Sequence, residues 1–216
     1  MNKNMDLSYL RAQYNNDRLK EPLDDQPWGL MRQWFQEAIS NEAVMEPNAM
    51  SLATSTADGH PSVRLVLAKE INDAGVVFFT NYKSQKGREI EENPNVAATI
   101  WWPEMERQIR LQGVAEKIDP AESTAYFQSR PKGSQIGAIA SPQSKPIPNV
   151  EYLEESMKKV ESTVRDQELI ERPPHWGGYL ILPHSVEFWQ GQPNRLHDRI
   201  QFIRQGKEWS KQRLAP

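Results

Sequence analysis

At 216 residues with no cysteine, the chain excludes disulfides, thiolate metal sites and a cysteine nucleophile. Its formal net charge of -3 and pI of about 5.9 exclude a globally basic binder of nucleic acid or anionic membrane, so any anion site must be a local concentration of Arg and Lys. A mean hydropathy of -0.75 points to a large wet surface or polar site, while seven Trp argue against disorder.

The opening MNKNMDLSYLRAQYNNDRLK has no apolar core of signal-peptide length, and no stretch approaches the roughly 20 apolar residues that cross a bilayer, so a cytoplasmic protein is expected. Residues 1 to 24 read as a mobile N-terminal arm, in which Leu7, Leu10, Arg11 and Tyr14 give a short helix a thin apolar stripe before KEPLDDQP breaks it. Residues 25 to 216 read as one domain. A firmer helix begins near Pro27, where Trp28, Met31, Trp34, Phe35, Ala38 and Ile39 recur at three- and four-residue spacing.

From Ala49 the pattern changes to AMSLATST, SVRLVLAKEI and VVFFT, three strands joined by turns rich in Asp, Gly and Pro. SQKGREIEENP supplies a short helix, then NVAATIWW and RQIRLQGVAEKI continue the strands. Asp119, Pro120 and Glu122 open a helix as N-cap, first-turn proline and capping-box acid, reaching about Ser129. After the link SPQSKPIPN, a helix from Asn149 carries Val150, Leu153, Met157, Val160 and Val164 on one face. GGYLILP, HSVEFWQG and LHDRIQFIRQGKEWSKQRL close the chain as strands, the last two hinged near Gln205 and Gly206. Six to eight short strands interrupted by helices predict an α+β protein built on an antiparallel barrel with peripheral helices.

No GxSxG, HExxH, P-loop or GxGxxG is present, and no metal-ligand spacing appears. Cations instead sit at strand edges and loop tips: Arg64, Lys69, Lys83, Lys86, Arg130, Lys132, Arg195 and Arg199. Each alone reads as a solvated surface charge. Arg64 and Lys69, five apart, fall on opposite faces of a regular strand, whereas Arg195 and His197, two apart, share one side of an extended segment.

Taken in order, RLVLAK, FFTNYKSQKGREIEENP, ERQIRLQG, YFQSRPKGSQIGA, SPQS, FWQGQPNRLHDR and the final RLAP resemble the pyridoxamine 5'-phosphate oxidase family over nearly the whole chain. The resemblance implies an FMN-binding split β-barrel and a homodimer with FMN between subunits. It also implies oxidation of pyridoxamine or pyridoxine 5'-phosphate to pyridoxal 5'-phosphate, with O2 leaving as H2O2. It places Arg64, the backbone of Leu65, Val66 and Leu67, then Phe79, Thr80, Gln85, Lys86, Gln108, Gln143, Ser144, Trp189 and Arg199 around FMN. Lys69, Tyr126, Arg130 and Ser134 would grip the substrate phosphate, while Arg195, Leu196 and His197 would hold its ring, with Arg195 and His197 nearest the chemistry. Arg11 and Tyr14 match arm positions that fold over bound ligand. Two phosphate dianions need several charge-assisted donors, which this cation set supplies.

The chain departs from many relatives at Gln85, where they carry Arg before the phosphate-binding Lys. Flavin oxidases of phenazine biosynthesis can share the SQKG form and are the rival enzyme reading. A non-catalytic flavin or pyridoxal phosphate carrier is the rival binding reading, and would not need a second phosphate grip.

Overall fold

The computed structural model describes residues 5–10, 12–21 and 23–216. Its elements in order are α1 (Pro27–Ser40), β1 (Ala49–Ser55), β2 (Pro61–Ile71), β3 (Val76–Asn81), α2 (Gln85–Glu92), β4 (Asn95–Trp102), β5 (Arg107–Lys117), α3 (Pro120–Ser129), α4 (Lys132–Ala140), α5 (Glu151–Val164), β6 (Trp176–Gln190), β7 (Asp198–Gln205) and β8 (Glu208–Arg213). The sheet runs β3-β2-β1-β4-β5-β6-β7-β8, and an additional β3–β6 pairing closes its first six strands into a barrel. The registers of β1 with β2 and β4, β2 with β3, β3 with β6, and β7 with β6 and β8 are antiparallel. The expected α+β antiparallel barrel with peripheral helices is what forms.

Contacts divide the chain into two compact units, one of residues 48–99 and 111–184, the other of residues up to 47, 100–110 and 185–216. In the first, Phe127, Ile136, Val164, Ile170 and Trp176 form a buried cluster that joins α3, α4 and the end of α5 to the start of β6. The helix starts follow the capping logic: Ser84 accepts from the Gly87 N–H at 3.3 Å, and Asp119 from the Ala121 N–H at 2.6 Å. In the second unit, α1 buries Trp28, Trp34 and Phe35 edge-to-face against Trp209, Phe188 and Trp102. Its Ile39 points outward, 63% exposed.

Five expectations are corrected. No helix forms in the described part of the arm, where Leu7 and Leu10 are exposed, because one thin apolar stripe with nothing to cover it does not sustain a short helix. Residues 15–20 instead carry no regular secondary structure and are tied by the Asn15 N–H to Glu106 at 3.0 Å and the Leu19 N–H to Asp198 at 2.9 Å. GGYLILP and HSVEFWQG form the single strand β6. Pro183 falls between the stretch 176–181 that pairs β3 and the stretch 185–190 that pairs β7, so neither ladder needs its missing N–H. The α4 helix was not foreseen, since Gly133 and Gly137 depress its helical propensity and Ile136 packs it down. The stripe on α5 buries only Val164 fully, and Val150, before its first turn, and Met157 are exposed.

The fifth correction concerns β2. Ala68 pairs Phe78 and Glu70 pairs the adjacent Val77, so Lys69 occupies a bulge and the alternation of a regular strand stops there. At the foreseen β7–β8 hinge, Gly206 adopts φ +65, a conformation that favours glycine.

Candidate active site

In the barrel unit, β2, β3, α2, α3, α4 and the segment after α4 enclose a cleft of about 460 Å3. Eleven predicted site residues line it: Leu65, Val66, Leu67, Lys69, Phe79, Thr80, Lys86, Tyr126, Arg130, Ser134 and Gln143. The bulge is what turns the β2 backbone where Lys69 joins this wall. Phe79 stacks on Tyr126 at 3.8 Å between centroids and on Trp176 at 5.5 Å, giving the cleft a flat aromatic wall.

Among the described residues, Lys86 and Arg130 of this cleft make no salt bridge. Lys86 is buried at 8% exposure, and among the described residues its Nζ donates to two neutral oxygens, Thr80 Oγ1 at 3.3 Å and Gln143 Oε1 at 3.2 Å. Burial, reinforced by the charge of Arg64, lowers its pKa to about 8. Arg130 lies over the Trp176 ring at 4.7 Å, and its Nη1 is buried without a hydrogen-bond partner. Burial also pulls the Arg130 pKa down. A buried unpaired cation is unfavourable, and a dianionic group entering the cleft would relieve both. Next to Gln143, Ser144 is held at φ +68, a left-handed conformation that a non-glycine residue adopts at some cost.

Arg64 and Gln85 do not line this cleft; both engage Glu89 of α2, which sequence reasoning missed. Glu89 is 5% exposed and accepts from Ser62 Oγ at 2.6 Å, Gln85 Nε2 at 2.8 Å, Arg64 Nη2 at 3.3 Å and Thr54 Oγ1. Burial alone would raise its pKa, but these donors bring it down to about 2. The available signal was the Gln85 to Glu89 spacing of four on a helix.

The other predicted residues gather in the second unit. Tyr14, Trp189 and His197 form an aromatic corner, with centroids 5.7 Å apart for Tyr14 and Trp189, 5.6 Å for Tyr14 and His197, and 4.5 Å for Trp189 and His197. Tyr14 and Arg195 line a recess of about 310 Å3 there. Asn194 and Arg195 both have positive φ, 57 and 62, so the backbone of NRLH turns left-handed and is not the extended segment that would put Arg195 and His197 on one side. His197 Nδ1 accepts the Gln192 N–H at 3.2 Å, which leaves the proton of the neutral ring on Nε2. Burial, then the charges of Arg195 and Arg199, lower its pKa, so the ring is neutral at pH 7.

Arg199 donates to buried Glu187 at 2.8 Å and to the Ala215 carbonyl at 2.8 Å, which gives the terminal RLAP a structural task. Asp198 accepts from Leu19 N–H and from Arg213, so its role is to fasten chain ends. Gln108 is half-buried on β5, and Leu196 is 64% exposed. Arg11 lies outside the described residues. Among the described residues no group of His, Asp and Glu could hold a metal, and no helix is long and apolar enough to cross a membrane.

Residues 35–163 match the family model described as pyridoxamine 5'-phosphate oxidase. The chain belongs to the pyridoxamine 5'-phosphate oxidase family. Residues 176–216 match a second family model, the pyridoxine 5'-phosphate oxidase C-terminal dimerisation region. Curated relatives named pyridoxine/pyridoxamine 5'-phosphate oxidase include one from Thermosynechococcus vestitus, 50% identical over 97% of this chain and 99% of the relative. Another, from a Cyanothece species, is 48% identical over 97% of this chain and 98% of its own. Among solved structures, PhzG from Burkholderia lata in complex with tetrahydrophenazine-1-carboxylic acid is 32% identical, with a TM-score of 0.83 over 89% of this chain and 94% of that one. A pyridoxamine 5'-phosphate oxidase-related, FMN binding protein from Nostoc punctiforme, 20% identical with a TM-score of 0.70 over 90% of this chain and 100% of its own, shares the fold.

Proposed function

We infer that the chain is an FMN-dependent oxidase that converts pyridoxamine 5'-phosphate or pyridoxine 5'-phosphate to pyridoxal 5'-phosphate, reducing O2 to H2O2. The observation that carries this reading is the doubled cation set of one cleft: Lys86 with Thr80 and Gln143, and Arg130 with Lys69, Tyr126 and Ser134. A flavin carrier needs one phosphate grip, whereas an enzyme acting on a phosphorylated vitamin beside a phosphorylated flavin needs two. FMN fits the residues present, because Lys86 is a buried cation whose Nζ bonds, among the described residues, to neutral oxygens, while the orphaned Arg130 Nη1 is left for the substrate phosphate.

Lys86, Thr80, Gln143, Ser144 and Arg64 would hold the flavin phosphate, with Gln85 acting through Glu89. Phe79 and the backbone of Leu65, Val66 and Leu67 would line the rest of the cofactor site. When bound, FMN supplies the two-electron acceptor that takes a hydride from the substrate carbon bearing the amine or alcohol and passes the electrons to O2. Lys69, Tyr126, Arg130 and Ser134 would bind the substrate phosphate. Arg195 and the Nε2–H of His197 would orient the pyridine ring, Leu196 and Tyr14 would cover it, and Arg11 would join them from the arm. Gln108, Trp189 and Arg199 would complete the flavin site. The dimerisation region supports a homodimer, and on this reading each FMN would be held by two subunits. No nucleic acid or membrane partner is needed, and a cytoplasmic location suits the reading.

The visible spectrum of the purified chain tests this. A flavin spectrum that bleaches when pyridoxamine 5'-phosphate is added without oxygen is expected. A stable spectrum would mark a carrier, and bleaching only by a reduced phenazine precursor would favour the activity suggested by the PhzG likeness.

A further inference from the structure

We propose that Glu89 is a positioning residue for the flavin-phosphate site, acting on Arg64 through the hydroxyls of Thr54 and Ser62. The inference rests on the reading that Arg64 and Lys86 bind the phosphate of FMN. Arg64 Nη1 donates to Thr54 Oγ1 and Nη2 to Ser62 Oγ, while both hydroxyls donate their single proton to Glu89. Each hydroxyl therefore turns a lone pair toward the guanidinium, which can only donate. Arg64 Nη1 also reaches the Leu52 carbonyl at 3.3 Å, and Nη2 reaches Glu89 itself at 3.3 Å. A planar fork is thus clamped from β1, from β2 and from α2, the helix that carries Lys86.

Gln85 belongs to the same device. Its Nε2 donates to Glu89 Oε1 at 2.8 Å, so this amide supports the carboxylate. Simple Coulomb reasoning predicts the opposite sign for Glu89, because a carboxylate near a phosphate site repels the dianion. The two views therefore separate on one variant. In Glu89→Gln the charge is lost and one of the two oxygens becomes an NH2 donor, so the remaining oxygen can no longer serve both the hydroxyls and Gln85, and the clamp on Arg64 loosens.

The test is titration of the full-length apoprotein with FMN and with riboflavin, followed by flavin fluorescence; riboflavin lacks the phosphate. Glu89→Gln is expected to weaken FMN by at least roughly tenfold, the scale of losing bonds to a charged group, and riboflavin by less than about twofold. Ser62→Ala, which keeps the charge and removes one link, should weaken FMN by roughly threefold and provides the reading if Glu89→Gln does not fold. In an Arg64→Ala background, either substitution should have almost no further effect on FMN, since the partner it acts through is gone. Glu89→Asp should recover part of the FMN preference. The proposal is overturned if Glu89→Gln binds FMN as tightly as the parent or more tightly, if riboflavin weakens equally, or if the full loss persists without Arg64. A parent chain that does not prefer FMN over riboflavin overturns the phosphate site, and this inference with it. A parent that prefers FMN, with the preference intact in Glu89→Gln, overturns this inference alone.

Discussion

The barrel cleft and the NRLH corner hold their polar groups by different means. In the cleft, Lys86 is buried and Arg130 is half-buried with its Nη1 enclosed, and burial lowers the pKa of both. In the corner, Arg195 is exposed and is the second of two consecutive left-handed residues, beside a cluster of the Tyr14, Trp189 and His197 rings. Burial favours tight capture of a permanent anion, while a strained exposed turn presents a donor to a ligand that must come and go. On the proposed reading, the cleft would retain the cofactor and the corner would serve turnover.

Arg195→Leu presses this contrast hardest. With FMN binding unchanged, it should lower kcat/KM for pyridoxine 5'-phosphate roughly 30- to 1,000-fold, corresponding to a lost charge-assisted contact of about 2 to 4 kcal/mol. Steady-state oxidation alongside FMN titration measures both halves. Full activity in this variant would return Arg195 to an ordinary solvated turn.

Lys86→Ala probes the opposite region and should show the reverse pattern. FMN should bind about 1.5 to 3 kcal/mol more weakly, or roughly 10- to 150-fold, the scale of a hydrogen bond to a charged group. With saturating FMN, the substrate KM should move little. An equal loss in both quantities would mean that the two phosphate grips are not separate.

The chemistry of these regions was legible in sequence to different depths. Asp119 and Pro120 announced α3 because a cap and a first-turn proline act locally. Motif order supplied the eleven cleft residues, since the resemblance spans the whole chain. What local pattern could not carry was anything set by partners distant in sequence. The role of Glu89 depends on Thr54 in β1 and Ser62 in β2, 35 and 27 positions away. The bulge at Lys69 depends on the register of β2 against β3, and the unity of β6 on Pro183 falling where its pairing partner changes. The left-handed pair at Asn194 and Arg195 likewise leaves no periodicity to read.

A pH titration sharpens the comparison at smaller scale. Below about pH 8 Lys86 is protonated before FMN arrives, so its charge contributes no pH dependence to binding there. The phosphate dianion stabilises the ammonium and raises its pKa in the complex. Above pH 8, binding must therefore take up a proton, and affinity should fall by up to about tenfold per pH unit. Lys86→Ala should abolish that slope. A parent profile flat from pH 8 to 9.5 would contradict the buried-cation account of the cleft.

The smallest effect is expected from His197→Ala. The imidazole is neutral at pH 7, because burial and the charges of Arg195 and Arg199 oppose protonation, and its Nδ1 is occupied by the Gln192 N–H. It can offer one neutral donor, Nε2–H, worth about 0.5 to 1.5 kcal/mol, so kcat/KM should fall roughly 2- to 12-fold while FMN affinity holds. The Tyr14 and Trp189 rings also pack against it, so part of any loss would come from the corner relaxing. Combining His197→Ala with Arg195→Leu separates these sources. If both residues hold the same substrate ring, the double variant should lose less than the sum of the singles in free energy. Strict additivity would show that the two side chains act on different parts of the ligand, and the corner would then be two independent contacts.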